Sequence, residues 1–297
     1  MDSLIYWIMG GVLVGLVISL VTSSSFQPTT TKANEIEINT DAIPLNGKIT
    51  EPLTPSSSLS DVLSLMTQSS GKWNTLHVSY AARFRDHGNS NLSQEYQHEF
   101  WLTSEGQGRL EISSFDGIPE LVWVNDKTDT WTADITAGTY TQMKVPRSIQ
   151  AIESSQSLSE SQTSQDLVLS NASALLIPSG LNDYLYPKSL AQSMSRTTIS
   201  DNASQNVSII GSDSIAGRET IMLERKIVSL DEQPVMYKLH RYWIDAETGI
   251  VLKGEVEDLT NGGWIQQFEA TAVDIDTDIP QEKFVFVPDP NFKLVEP

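Results

Sequence analysis

The run from Met236 to Asp245, Met-Tyr-Lys-Leu-His-Arg-Tyr-Trp-Ile-Asp, leaves this chain little choice of architecture. Tyr237, Leu239, Arg241 and Trp243 fall on one side of an extended chain, and Met236, Lys238, His240, Tyr242 and Ile244 on the other. A period of two built from aromatic and β-branched residues marks a half-buried strand. Asp245 to Gly249 then supplies a turn, because Asp bonds its own backbone and Gly accepts a positive φ. A second strand, Ile250 to Leu259, leads to another turn at Asn261-Gly262-Gly263 and a third strand, Trp264 to Val273. Phe284-Val-Phe-Val reads as the closing strand of an antiparallel meander.

The same rhythm runs through the first half. Strands are expected at Trp73–Arg85, Tyr96–Thr103, Gly108–Phe115, Leu121–Asn125 and Thr130–Ile135, with turn residues between them. They resume at Val207–Ile210 and Glu219–Val228. Short strands at this spacing make an antiparallel sandwich or barrel. Three segments break the pattern. Ser60 to Met66 reads as a short amphipathic helix, with Ser58 or Ser60 as N-cap. Arg147 to Ser170 is Ser/Gln-rich and acidic, an exposed insertion. Ala172 to Pro187 holds two short helices split by Pro178-Ser-Gly.

Ahead of this domain, Leu4 to Val21 carries no charge and spans about 27 Å as a helix, close to a bilayer core of about 30 Å. Its 11 Leu, Ile and Val residues favour insertion by about 3–7 kcal/mol. Residues 1–22 are therefore expected to be a transmembrane anchor or a signal segment, the anchor being preferred because Met1-Asp2-Ser3 lacks a basic n-region. Residues 23–58, rich in Ser, Thr, Pro and Asn, are expected to be a flexible linker with a reach of about 30–35 Å. The β domain then occupies 59–297.

Composition closes several functional classes. A net charge of −19 opposes nucleic acid, whose binding depends on basic side chains neutralising phosphates. Zero cysteines exclude disulfides, thiolate catalysis and a lipid-modified cysteine anchor. His77, His87, His98 and His240 share no zinc spacing. Asp274, Asp276 and Asp278 alternate as in an EF-hand loop, but Ile279 and Val285 stand where that loop needs Gly and Glu. There is no Gly-x-Ser-x-Gly elbow. The expectation is a non-enzymatic protein without cofactor or metal.

Apolar side chains remain, among them Phe100, Trp123, Leu239 and Trp243, in a number that either fills a sandwich core or lines a hollow. The order of motifs bears on that choice. His-Glu-Phe-Trp-Leu (98–102), Gly-Arg-Leu-Glu-Ile (108–112), Tyr-Trp-Ile-Asp-Ala-Glu-Thr-Gly-Ile-Val-Leu-Lys (242–253) and Ile-Pro-Gln-Glu-Lys-Phe-Val-Phe-Val-Pro (279–288) follow one another in the chain. In that order they resemble the LolA/LolB and RseB/MucB group of bacterial extracytoplasmic proteins. The resemblance implies a curved antiparallel half-barrel of mainly β structure plugged by short helices, and an extracytoplasmic domain at the cell membrane. It implies an acyl pocket walled by Phe100, Trp123, Leu239 and Trp243 and roofed by Leu175, Leu176, Ile177, Leu181, Tyr184 and Leu185. The implied ligand is a lipid or an acylated protein. Alternatives are an RseB/MucB-like regulator acting on an anti-sigma factor or another membrane partner, and a surface domain with a filled core. One departure stands out: the arginine that latches a lid helix in LolA-type carriers is replaced here by Thr103-Ser104-Glu105, and Arg109 is the nearest candidate.

Overall fold

The computed structural model describes residues 43–45, 47–85, 93–145, 182–196, 198–200, 203–229, 236–260 and 262–296. The expected membrane segment Leu4–Val21, the insertion at 147–170, and Leu175, Leu176, Ile177 and Leu181 lie outside them. Among the described residues no helix is long and apolar enough to cross a membrane.

Among the described residues thirteen strands form one sheet in the order β13-β6-β5-β4-β3-β2-β1-β12-β11-β10-β9-β8-β7. The first arm is β1 (Thr75–Arg85), β2 (Ser93–Thr103), β3 (Gly108–Ser114), β4 (Pro119–Asn125), β5 (Asp129–Asp134) and β6 (Thr139–Lys144). The second is β7 (Thr198–Ser200), β8 (Ala203–Ile215), β9 (Arg218–Ser229), β10 (Met236–Asp245), β11 (Val251–Asp258) and β12 (Trp264–Ile275). Each arm pairs its strands antiparallel in sequence order, and the two meet where β1 pairs antiparallel with β12. β8 and β12 approach one another although three strands separate them, so the second arm is rolled. β13 (Lys293–Leu294) adds the only parallel pair described, on β6.

One face carries the core. Leu76, Val78, Tyr80 and Ala82 of β1 share it with Phe100 and Leu102 of β2, Leu110 and Ile112 of β3, Ile221 and Leu223 of β9, and Tyr242 and Ile244 of β10. Three helices lie on this face. Helix α1 (Leu59–Thr67) starts in a capping box: the Ser58 hydroxyl accepts from the Asp61 amide at 3.2 Å, and the Asp61 carboxylate accepts from the Ser58 amide at 3.1 Å. It buries Val62, Leu63, Leu65 and Met66. Helices α2 (Asn182–Leu185) and α3 (Lys188–Met194) bury Tyr184, Leu185, Leu190, Ala191 and Met194 beside it. Gly249 lets the β10–β11 turn reach α1. Its φ is +78°, and a Cβ there would stand 2.7 Å from the Leu65 carbonyl oxygen.

Two expectations need correction. The linker does not run to residue 58: Ile43 donates to the Ser195 carbonyl at 2.9 Å, Leu53 donates to the Ala246 carbonyl at 2.8 Å, and Lys72 Nζ reaches the Ile49 carbonyl at 2.6 Å. Leu53 is buried, and Ile43, Leu45 and Ile49 pack against the core, so apolar side chains spaced through this polar stretch tie it to the domain. Phe284-Val-Phe-Val is not a strand. A 3-10 turn at Gln281–Phe284 precedes an extended strap across the back of the sheet, opposite the helices. Its alternation is genuine, with Phe284 buried and Val287 80% exposed, but Pro288 and Pro290 deprive the strap of donors a ladder needs.

Candidate functional site

The helix-covered face of the rolled arm is the candidate site. Its floor is laid out by register. Leu223, Tyr242, Gly254, Phe268, Ala82 and Tyr96 stand abreast on β9, β10, β11, β12, β1 and β2. Strands spaced about 4.8 Å apart place Tyr242 and Tyr96 about 19 Å from one another along the sheet. Glycine interrupts this apolar row, and the gap receives a side chain from above: a Cβ on Gly254 would stand 1.9 Å from the Tyr184 hydroxyl oxygen and 2.4 Å from the adjoining ring carbon. The Tyr184 ring stands edge-on to Tyr242 and Phe268, with centroids at 6.1 and 5.6 Å. Burial drives the Tyr184 hydroxyl far above its ordinary pKa, and Tyr242 is pushed up to about 12 for the same reason. Neither phenol ionises in use. Helix α2 thus behaves as a stopper set into a notch of the sheet.

One end of the row is polar. Arg225 faces the helices from β9, next to His240 of β10. Its Nε donates to Gln205 Oε1 at 2.6 Å and its Nη2 to Ser193 Oγ at 3.0 Å, and Gln205 Nε2 donates to the Ser193 and Arg196 carbonyls. Sheet and α3 are tied together there. His240 Nδ1 lies 3.0 Å from the Tyr242 hydroxyl, whereas Nε2 is buried without a hydrogen-bond partner. Burial, then the neighbouring Arg225 and Lys238, lowers the His240 pKa to about 4, so the ring is neutral at physiological pH.

A second concavity lies on the back of the sheet. The strap bridges it: Phe286 packs on Trp131 and Tyr140 at 6.1 and 5.8 Å, Lys283 Nζ sits 3.7 Å from the Trp101 ring centre, and Arg109 Nη1 donates to the Lys283 carbonyl at 3.2 Å. The resulting cleft, of about 1020 Å³, has Ser79, Gln97, Glu99 and Glu111 on its floor and Val285, Val287 and Phe292 on its roof.

Among solved structures, this chain is similar to MucB in the Pseudomonas aeruginosa MucA/MucB complex, at 14% identity and a TM-score of 0.42, over 80% of this chain and 64% of that one. A LolA superfamily protein from Nitrosomonas europaea matches at 10% identity and a TM-score of 0.33, over 78% of this chain and 99% of that one. A putative outer membrane lipoprotein-sorting protein domain from Vibrio parahaemolyticus matches at 10% identity and a TM-score of 0.28, over 76% and 97%. The chain is similar in fold to LolA/MucB proteins. It spans less than two thirds of the length of the MucB chains it matches. No family model and no curated protein matches it.

The residues expected to form an acyl pocket do not all meet. Phe100, Trp123, Tyr184 and Leu185 belong to one buried cluster on the helix-covered face, where Tyr184 and Leu185 fill the space they were expected to roof. Leu239 and Trp243 alternate to the other side of β10: Leu239 is buried apart from that cluster, whereas Trp243, 5% exposed, belongs to it, with Lys253 Nζ 4.7 Å from its indole ring centre and its Nε1 donating to Asp213. The residues of β10 that face the helices are His240, Tyr242 and Ile244, because side chains alternate and the inner set is the even-numbered one. Arg109 also points to the back of the sheet, its Nε donating to Glu111 and its Nη1 to the 3-10 turn at Lys283, so it holds none of α1, α2 and α3. The arginine that does is Arg225, absent from the sequence reading. Its signal was a cation falling in step with Ile221 and Leu223, on the inner side of a strand.

Proposed function

We propose that this protein is a non-enzymatic, extracytoplasmic acyl-chain binder, held at the membrane through Leu4–Val21, that takes its ligand into the trough now filled by α2 and α3. The observation that carries this reading is the way the trough is filled. Its floor is an apolar row broken only at Gly254, and beside α1 the short segment 182–196 covers it, seated through Tyr184 in the Gly254 notch. Four anchors, Tyr184, Leu185, Leu190 and Met194, contribute about 6–12 kcal/mol by burial. A sixteen-carbon chain, about 18 Å extended, gains up to about 12 kcal/mol in the same place and matches the row in length. Comparable magnitudes let ligand and helices exchange, which a binder that also releases requires. Lipid extraction and mass spectrometry of the purified chain, with uptake of a fluorescent fatty acid, tests this reading. Bound acyl species, and faster uptake by Tyr184→Ala, are expected; no acyl species and no uptake by either protein would refute it.

The cleft beneath the strap favours a second reading, in which the back face contacts a membrane regulatory protein while the trough senses lipid. In that case substitutions in the strap abolish partner capture without altering acyl uptake.

A further inference from the structure

Arg225 is a cation buried without its counterpart. It is 8% exposed, its hydrogen bonds go to the Gln205 amide, the Ser193 hydroxyl and the Tyr242 phenol, all neutral, and no carboxylate of the described residues lies within ion-pairing distance. The groups around it do not restore neutrality. His240 is uncharged, Tyr242 is a phenol, Lys238 adds a second positive charge on the same side of β10, and Asp183 acts on Arg225 only from a distance. A guanidinium offers five N–H donors in a planar fork, and an unpaired buried charge is strongly unfavourable. His240 Nε2 adds a buried nitrogen without a partner in the same corner. The corner lies at the end of the apolar row, two residues along β9 and β10 from Leu223 and Tyr242 and on the same face.

We propose that this corner binds the anionic head of the acyl ligand, a carboxylate or a phosphate received by the Arg225 fork, while the tail lies along the row from Tyr242 to Tyr96. The assignment rests on the acyl-binding reading and narrows it. The ligand is an acidic lipid, and the uncharged glyceride head of an acylated protein is disfavoured. The tail supplies affinity and Arg225 supplies selection, since a charge-assisted hydrogen bond in a dry site is the interaction a neutral analogue lacks.

Palmitate, hexadecyl phosphate and hexadecanol, competing against one fluorescent acyl probe on the full chain, test it. At least one of the two anions is expected to bind about 10- to 100-fold more tightly than hexadecanol. The tighter anion identifies the head, and in Arg225→Gln the anion-to-alcohol ratio falls to about one. Equal affinities for all three in the unaltered protein overturn the anion site and leave acyl binding standing. Competition by none of them overturns the acyl reading itself. A ratio that survives Arg225→Gln moves the site elsewhere. Should that variant not fold, Arg225→Lys, which keeps the charge and loses the fork, is expected to narrow the ratio, and an undiminished ratio there counts against the guanidinium.

Discussion

Substituting Gly254 by alanine drives a methyl group into the space held by the Tyr184 hydroxyl, 1.9 Å away, and ring carbon, 2.4 Å away. Both contacts are far inside van der Waals distance, so the ring must leave the notch or the strand must move. If the ring leaves, the edge contacts with Tyr242 and Phe268 go, at about 0.5–1.5 kcal/mol each, together with part of the burial of Tyr184. If it stays, overpacking costs about 1–3 kcal/mol. Against either stands a gain of about 0.5–1 kcal/mol from replacing glycine inside a strand. The net expectation is a loss of about 1–3 kcal/mol, a fall in Tm of about 2–12 °C for a domain of this size. Urea unfolding of the four members of the cycle Gly254→Ala and Tyr184→Ala checks the cause. With the ring removed the notch is empty, so Gly254→Ala should become neutral or stabilising, giving a coupling of about 1.5 kcal/mol or more. An equal loss in both backgrounds would refute the notch and mean that the strand itself demands glycine.

Three further outcomes follow from buried polar groups and from the strap. His98 is 5% exposed and burial lowers its pKa from 6.5 to about 4, so the folded state refuses a proton that the unfolded state accepts. The His98 share of stability is therefore full above pH 6.5 and falls by about 3 kcal/mol as pH drops to 4; His98→Gln should remove that share in urea titrations and leave the part of the slope that His240 contributes. Asp245, 1% exposed, takes a bidentate Arg218 and accepts from the Glu247 and Thr248 amides, so Asp245→Ala should cost about 3–5 kcal/mol in urea unfolding. Phe286→Ala removes the two ring contacts that hold the strap, about 1–3 kcal/mol, and hydrogen exchange should show Lys293 and Val295 amides losing protection while β1 keeps its own.

The meander was legible because its signals are local. Alternation over Tyr237–Ile244, Gly249 at a turn and Gly262-Gly263 at the next placed β10 to β12 almost to the residue, and Ser58 announced α1. β6, with Thr139 to Lys144, was missed, since Tyr140 and Met143 are its only large apolar side chains. The site was less legible because it depends on which face of the sheet is covered. Periodicity divides β10 into two sets and does not say which one meets the helices; Leu239 and Trp243 are the more apolar set and both are buried, yet ion pairs of Arg241 and a lysine–indole contact lie on their side of the strand. Gly254 looked like any strand glycine, because the ring that needs it arrives from 70 residues earlier in the chain. The alternation across Phe284–Val287 belongs to an extended strap and not to a paired strand, and the prolines at 288 and 290 were the warning.

The placement of β1 at the middle of the sheet has a consequence for how this chain comes into being. Leu76 pairs with Ile275, so the eleven-residue strand that emerges first among the thirteen waits for nearly the last one before its second border is occupied. At ordinary synthesis rates that interval is about 10–40 s, during which a row of amides and carbonyls stays open to any passing strand. A ribosome that stalls before Trp264 therefore releases a half-sheet with an adhesive border, and the cell's handling of such fragments is set by the order in which the strands were written.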